Sequence, residues 1–303
     1  MKSLRNGIVP LLLALLTMLT AIACNLSSNS SNGTPLKVGS KDFTEQFILG
    51  EMYALVLENK GFEVERKLNL GGTPVAQAAL ESDQIDLYPE YTGTALLTVL
   101  KLPSNSNQQQ VYNTVANAYK EKFNLVWLDP APMNSTQALV MTQDGSKKYG
   151  IKTISEMVAK ASELTLIGFP EFEAREDGLP GLKKVYGDFQ FKKFIPIASG
   201  LKYQTLNKGQ ADVAVAGGTD GEISAFNLVL LDDDKGLFPA YQAAPVVRQE
   251  ILTKNPKIRD ILNAIAPKLT TETMQRLNYE VSGKQREPAE VAKEFLTQEG
   301  LLS

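Results

Sequence analysis

Ile85-Asp-Leu-Tyr-Pro-Glu-Tyr-Thr-Gly-Thr94 is the stretch whose reading decides the fold. After the turn signal Glu81-Ser-Asp-Gln84, Ile85 to Leu87 read as a short buried strand, and Pro89 is expected to stop it because proline cannot donate to a sheet ladder. The chain should leave the sheet there. Two tyrosines, a glutamate, two threonines and a glycine then gather at the carboxyl end of a strand, where open α/β sheets hold their ligands.

Upstream, Leu36 to Gly39 reads as a first strand, followed by a helix with Phe47, Ile48, Met52, Leu55 and Val56 at helical spacing, its start capped by Asp42 or Thr44. Phe62 to Leu68 alternates as a strand, and Gly71-Gly-Thr-Pro74 opens a helix running through Leu80. Downstream come a helix over 92–100, a helix over 107–124 and a strand over Leu125 to Leu128. This alternation predicts an α/β protein with a mixed sheet flanked by helices.

Two breakers divide the chain. Asp129-Pro-Ala-Pro132 precedes a fresh strand at Ala138 to Met141, and the strand and helix alternation then repeats as far as Gly217-Gly-Thr-Asp-Gly221. The later strand Leu228 to Leu231, the strand Ala244 to Val247 and the final helices are expected to return to the first lobe. The domain plan is thus a leader over 1–24, a tether over 25–35, a first lobe from 36–136 plus 221–303, and an inserted second lobe over 137–220.

The chain of 303 residues has 43% hydrophobic and 21% charged residues, within the range of globular proteins. Its formal charge is -3, and without Met1 to Ala23, which hold Lys2 and Arg5, the remainder is more acidic still. Nucleic acid is excluded as a partner, because neutralising phosphates needs clustered lysine and arginine. The sequence contains no histidine, which rules out Ser-His-Asp and Cys-His catalysis and histidine metal ligation. Cys24 is the only cysteine, so neither an intrachain disulfide nor a CxxC metal site can form.

Glu171, Glu173, Glu176 and Asp177 read as a solvated loop, and Asp232-Asp233-Asp234 as a polar turn without calcium-loop spacing. No cofactor, metal site or enzymatic activity is expected.

Lys2 and Arg5, the apolar run Ile8 to Ile22 and Ala21-Ile-Ala-Cys24 have the shape of a signal peptide. The segment resembles a bacterial lipoprotein signal, which implies lipidation at Cys24 and an extracytoplasmic protein anchored to the membrane. Asn25 to Pro35 is a polar, low-complexity tether.

Four motifs, Gly39-Ser-Lys-Asp-Phe-Thr-Glu-Gln46, Tyr88-Pro-Glu-Tyr-Thr-Gly-Thr94, Gly200-Leu-Lys-Tyr-Gln204 and Thr219-Asp-Gly221, in this order resemble the substrate-binding subunits of ABC importers for glycine betaine, choline, carnitine and related osmoprotectants. Asp129-Pro-Ala-Pro132 and Ala244-Pro-Val-Val-Arg248 resemble the osmotically induced, lower-affinity branch. The resemblance implies a two-lobed periplasmic-binding-protein type II fold that closes on a ligand in the cleft between lobes, and a membrane permease with its ATPase as partners.

The resemblance also implies a site. Tyr91 and Tyr203 match two rings of a tyrosine cage for the ligand's cation, whereas Gln137 and Gly217 stand where the family usually has the other two. Lys41, Thr94 and Arg175 match the contacts to the ligand's carboxylate. A cation is held over aromatic faces worth roughly 0.5 to 2 kcal/mol each, so two missing rings weaken binding by about ten- to a thousandfold. The alternatives are a binder of another zwitterion, such as an amino acid or larger betaine, an enzyme on the same fold, and a sensor or surface adhesin module.

Overall fold

The structure, a computed structural model, describes residues 34–105 and 107–302; the leader with Cys24 and the tether up to Gly33 lie outside the described residues. The strands in chain order are β1 (Leu36–Gly39), β2 (Val64–Lys67), β3 (Leu87–Tyr91), β4 (Leu125–Trp127), β5 (Gln137–Met141), β6 (Thr165–Gly168), β7 (Lys193–Pro196), β8 (Val213–Gly217), β9 (Val229–Leu230) and β10 (Ala243–Arg248). They form two five-stranded sheets, ordered β2-β1-β3-β10-β4 and β7-β6-β8-β5-β9.

The two sheets follow one plan. In the first, β1 runs parallel to β2 and β3, while β10 is antiparallel to β3 and β4. In the second, β6 runs parallel to β7 and β8, while β5 is antiparallel to β8 and β9. Helices cover the faces, so central strands such as Val213–Gly217 read as continuous apolar runs. Helix Thr44–Asn59 is buried through Ile48, Leu49, Met52, Tyr53, Val56 and Leu57, in one core with Val291, Phe295 and Leu296 of helix Pro288–Gln298. Its N-cap is Phe43, which makes no side-chain cap; neither Asp42 nor Thr44 serves. No helix among the described residues is long and apolar enough to cross a membrane.

Pro89 does not end its strand. It sits in the middle of β3, directly opposite Pro245 of β10. Neither proline has an N–H, and antiparallel ladders contain pairs that exchange no hydrogen bonds, so two facing prolines remove nothing from the ladder. Their carbonyls are used on the outer sides: Gln46 Nε2 donates to Pro89 O at 2.8 Å, and Leu128 N donates to Pro245 O at 2.9 Å. The strand therefore runs on to Tyr91 and delivers that ring, with Thr92 to Thr94, to the sheet's end.

The chain passes from the first sheet to the second between β4 and β5, and back between β9 and β10. The expected return at Gly221 is corrected by this topology, since β9 pairs with β5 at the edge of the second sheet. The two crossing segments lie side by side: Ser135 N donates to Tyr241 O at 3.0 Å, and Tyr241 N donates to Asn134 Oδ1 at 2.8 Å. Paired short crossings of this kind are the structural form of a hinge.

The glycine-rich stretch 217–221 has another cause than a crossing. There the end of the second sheet meets helix Thr271–Ser282, and Gln275 Nε2 donates to Gly218 O at 2.9 Å. A Cβ at Gly221 would lie 2.6 Å from both Gln275 O and Tyr279 Cβ, so only glycine permits the approach.

Candidate functional site

Lys41 lies just past the end of β1 and is buried, with 3% of its surface exposed. Its ammonium donates to Glu90 Oε1 at 2.6 Å and to Thr73 Oγ1 at 3.2 Å, and it stands over the Tyr91 ring, 4.9 Å from the centroid. Burial pulls the Lys41 pKa down against the raising effect of Glu90, and the nearby positive charge of Arg175 adds to the lowering. Glu90 is fully buried and also accepts from Tyr88 Oη at 2.9 Å and Tyr91 N at 2.6 Å. Thr94, buried on the short helix Thr92–Thr94, follows directly and leads into a π-helical turn over Ala95–Val99, a feature frequent at functional sites.

Arg175 approaches from the second sheet's side, on the loop after β6. Its Nε donates to Asp177 Oδ1 at 2.6 Å, Nη2 donates to Asp177 Oδ2, and its guanidinium lies 5.7 Å from the Phe169 ring centroid. Glu171, Glu173 and Glu176 are exposed as expected of a solvated loop, but Asp177 is fully buried, which corrects that reading for this residue. Burial pushes its carboxyl up, but the guanidinium and the Tyr241 hydroxyl that donates to it outweigh that and hold it below the usual aspartate range. Tyr241 belongs to the second crossing segment, so the Arg175 fork is braced from the hinge. The lobes approach closely here, since a Cβ at Gly72 would lie 2.7 Å from Glu171 Oε1.

Tyr203 and Gly217 meet at Asp220, and Gln137 lies across the strand pair from Gly217. Gln137 and Gly217, far apart in sequence, are direct cross-strand partners on β5 and β8. Asp220 Oδ2 accepts from Tyr203 Oη, from Lys202 Nζ at 2.7 Å and from Gly217 N at 2.9 Å. A Cβ at Gly217 would contact Asp220 Oδ1 at 3.3 Å. The carboxylate thus stands beside the space that a side chain at 217 would fill.

Glu45 ties the two groups of residues together, and reading the sequence for ligand contacts passed over it although it lies in the first motif. It accepts from Tyr91 Oη at 2.8 Å and from Asn278 Nδ2 at 2.9 Å, and the same Nδ2 donates to Thr219 O at 2.9 Å. Thr219 Oγ1 and Ser135 Oγ, from the second sheet's end and the first crossing segment, are 2.9 Å apart. Burial raises the Glu45 pKa, while hydrogen bonds from Thr219, Asn278, Tyr91 and Ser135 pull the other way. By sequence Asp177 reads as part of a solvated loop and is set aside with it, and nothing in the pattern marks Tyr241.

Chemically, the arrangement offers two fixed cations, Lys41 and Arg175, from opposite sheets and near enough for their charges to act on one another. Tyrosine faces stand beside them. An anion entering between the cations relieves their repulsion, and a cation is served by the rings. A surface cavity of about 120 Å³ lined by Leu80, Phe123 and Arg248, among others, includes none of these residues.

Comparison with known proteins shows what the whole chain is similar to. Residues 34–298 match the family described as the substrate binding domain of the ABC-type glycine betaine transport system. The carnitine transport binding protein OpuCC of Listeria monocytogenes is 35% identical over 288 residues, 94% of this chain and 93% of that protein. The ergothioneine transport permease/ergothioneine binding protein EgtU of Helicobacter pylori is 34% identical over 99% of this chain, which spans about half of it, 54%. A crystal structure of a glycine betaine/carnitine/choline ABC transporter protein superposes with a TM-score of 0.72 at 32% identity, covering 88% of this chain and 100% of the other.

Proposed function

The chain belongs to the family of substrate-binding domains of ABC-type glycine betaine transport systems, and from that premise we propose that it is the extracytoplasmic subunit that captures a quaternary-ammonium osmoprotectant of the glycine betaine, choline or carnitine type and delivers it to a permease driven by an ATPase. It turns over no substrate. In this reading Cys24 carries a lipid that holds the protein at the membrane, and the two lobes close on the ligand about the paired crossings at 134–135 and 241.

One observation carries the proposal: Lys41 and Arg175 are supplied by different sheets, each is held by a buried carboxylate, and Tyr91 lies under the Lys41 ammonium. The ligand's carboxylate is bound by Arg175, Thr94 and Lys41. Its ammonium rests on Tyr91 and Tyr203, with Gln137 and Gly217 completing the wall. Both cations are already paired, but two bonds to Asp177 leave the guanidinium three of its five N–H groups, whereas bonds to Glu90 and Thr73 leave the Lys41 ammonium one of three, so Arg175 is the principal anion contact and Lys41 a charge held at its side.

Calorimetric titration against glycine betaine, carnitine and choline tests the reading. Glycine betaine and carnitine bind, about ten- to a thousandfold more weakly than a cage of four rings would hold them, and choline, which lacks the carboxylate, binds more weakly still. No heat with either carboxylated ligand ends the reading.

A further inference from the structure

Lys202 is not among the expected ligand contacts, yet its ammonium stands over the Tyr203 ring, 4.9 Å from the centroid, and bonds the same Asp220 oxygen that Tyr203 and Gly217 N reach. It is a cation on a cation site. Its side chain is 15% exposed and that of Asp220 is 26% exposed, so the pair is open to solvent and is not sealed in the core. Lys41 holds the equivalent place on Tyr91, but there the ammonium is anchored by the fully buried Glu90. Lys202 is held only by a partly exposed carboxylate.

We propose that Lys202 is a resident competitor that occupies the cation face of Tyr203 and the Asp220 carboxylate until the ligand's quaternary ammonium displaces it, and so sets the affinity of a cage that lacks rings at 137 and 217. The proposal rests on Tyr203 being a cage ring, as read above. Quaternary ammonium has no N–H to offer Asp220, but its positive charge and methyl groups suit a ring face and a neighbouring carboxylate. With Lys202 in place, binding must break the Lys202–Asp220 pair or set two cations side by side, and either weakens the complex.

Titration calorimetry of Lys202→Met with glycine betaine and with 3,3-dimethylbutyrate, which has the same shape but no positive charge, tests this. Glycine betaine binds about tenfold more tightly to Lys202→Met than to the wild type, while 3,3-dimethylbutyrate binds no better. Lys202→Gln, which keeps a hydrogen bond to Asp220, shifts in the same direction and stands in if the methionine variant misfolds. Weaker or unchanged glycine betaine binding overturns the proposal, since Lys202 would then serve the ligand's carboxylate or nothing. Equal tightening of both ligands overturns it as well. Tyr203→Leu separates the two layers: undiminished glycine betaine binding there refutes the cage reading itself, and this proposal with it.

Discussion

Lys41→Met lowers the stability of the folded protein by about 3 to 5 kcal/mol, measured by urea unfolding monitored by circular dichroism. The side chain that leaves is the cationic half of a buried pair, with 4% of its surface exposed against 0% for Glu90. What remains is a carboxylate with hydrogen bonds from Tyr88 Oη and Tyr91 N but no directly bonded counter-charge. Removing one partner of such a pair is far more damaging than removing both. The double variant Lys41→Met, Glu90→Gln therefore recovers most of the loss, because glutamine still accepts the Tyr91 N–H without bearing a charge. A single variant that loses less than about 1 kcal/mol would show that the pair is not desolvated as described.

Arg175→Met reduces affinity for glycine betaine by at least about a hundredfold, and reduces choline binding much less. Charge-assisted, forked contacts are the strong class of hydrogen bond, and this guanidinium is oriented by Asp177, which the Tyr241 hydroxyl holds in turn. Choline has no carboxylate and does not use the contact. The ratio of the two affinities, read by calorimetry, is the informative quantity, because general loosening of the second lobe lowers both alike. A variant that loses the two ligands equally would reassign Arg175 to scaffolding.

Much of the fold was legible because the helix and strand periodicities are local. The two mixed sheets, the strand at 36–39 and the helix that follows it are legible from patterns within short windows, although that helix is buried on nearly every side and Phe47 and Leu55 of its expected face are only half-buried. Three features were not. Pro89 looked like a terminator because its pairing with Pro245 lies more than 150 residues away, and one proline gives no sign of the other that makes it harmless. The return crossing was placed too early because the glycines at 217–221 answer to a steric meeting with Gln275 and Tyr279, which sequence spacing does not reveal. Asp177 looked solvated among Glu171, Glu173 and Glu176 because its burial depends on Tyr241, a residue from the other end of the inserted segment.

The candidate site divides in the same way. Its residue types were readable from short motifs, whereas their pairings were not. That Gln137 and Gly217 face one another across adjacent strands makes two positions 80 residues apart in sequence one local feature, with Asp220 bonded to the Gly217 end of it. That Lys41 is held by Glu90 and Arg175 by Asp177 is likewise a matter of pairings between distant segments.

The most direct measurement is a crystal structure of the protein grown with glycine betaine. The account predicts the ligand between the two sheets, its carboxylate within hydrogen-bond reach of the Arg175 guanidinium and Thr94 hydroxyl, and its trimethylammonium against the faces of Tyr91 and Tyr203. A ligand bound elsewhere, or bound with its ammonium toward Arg175, would contradict it.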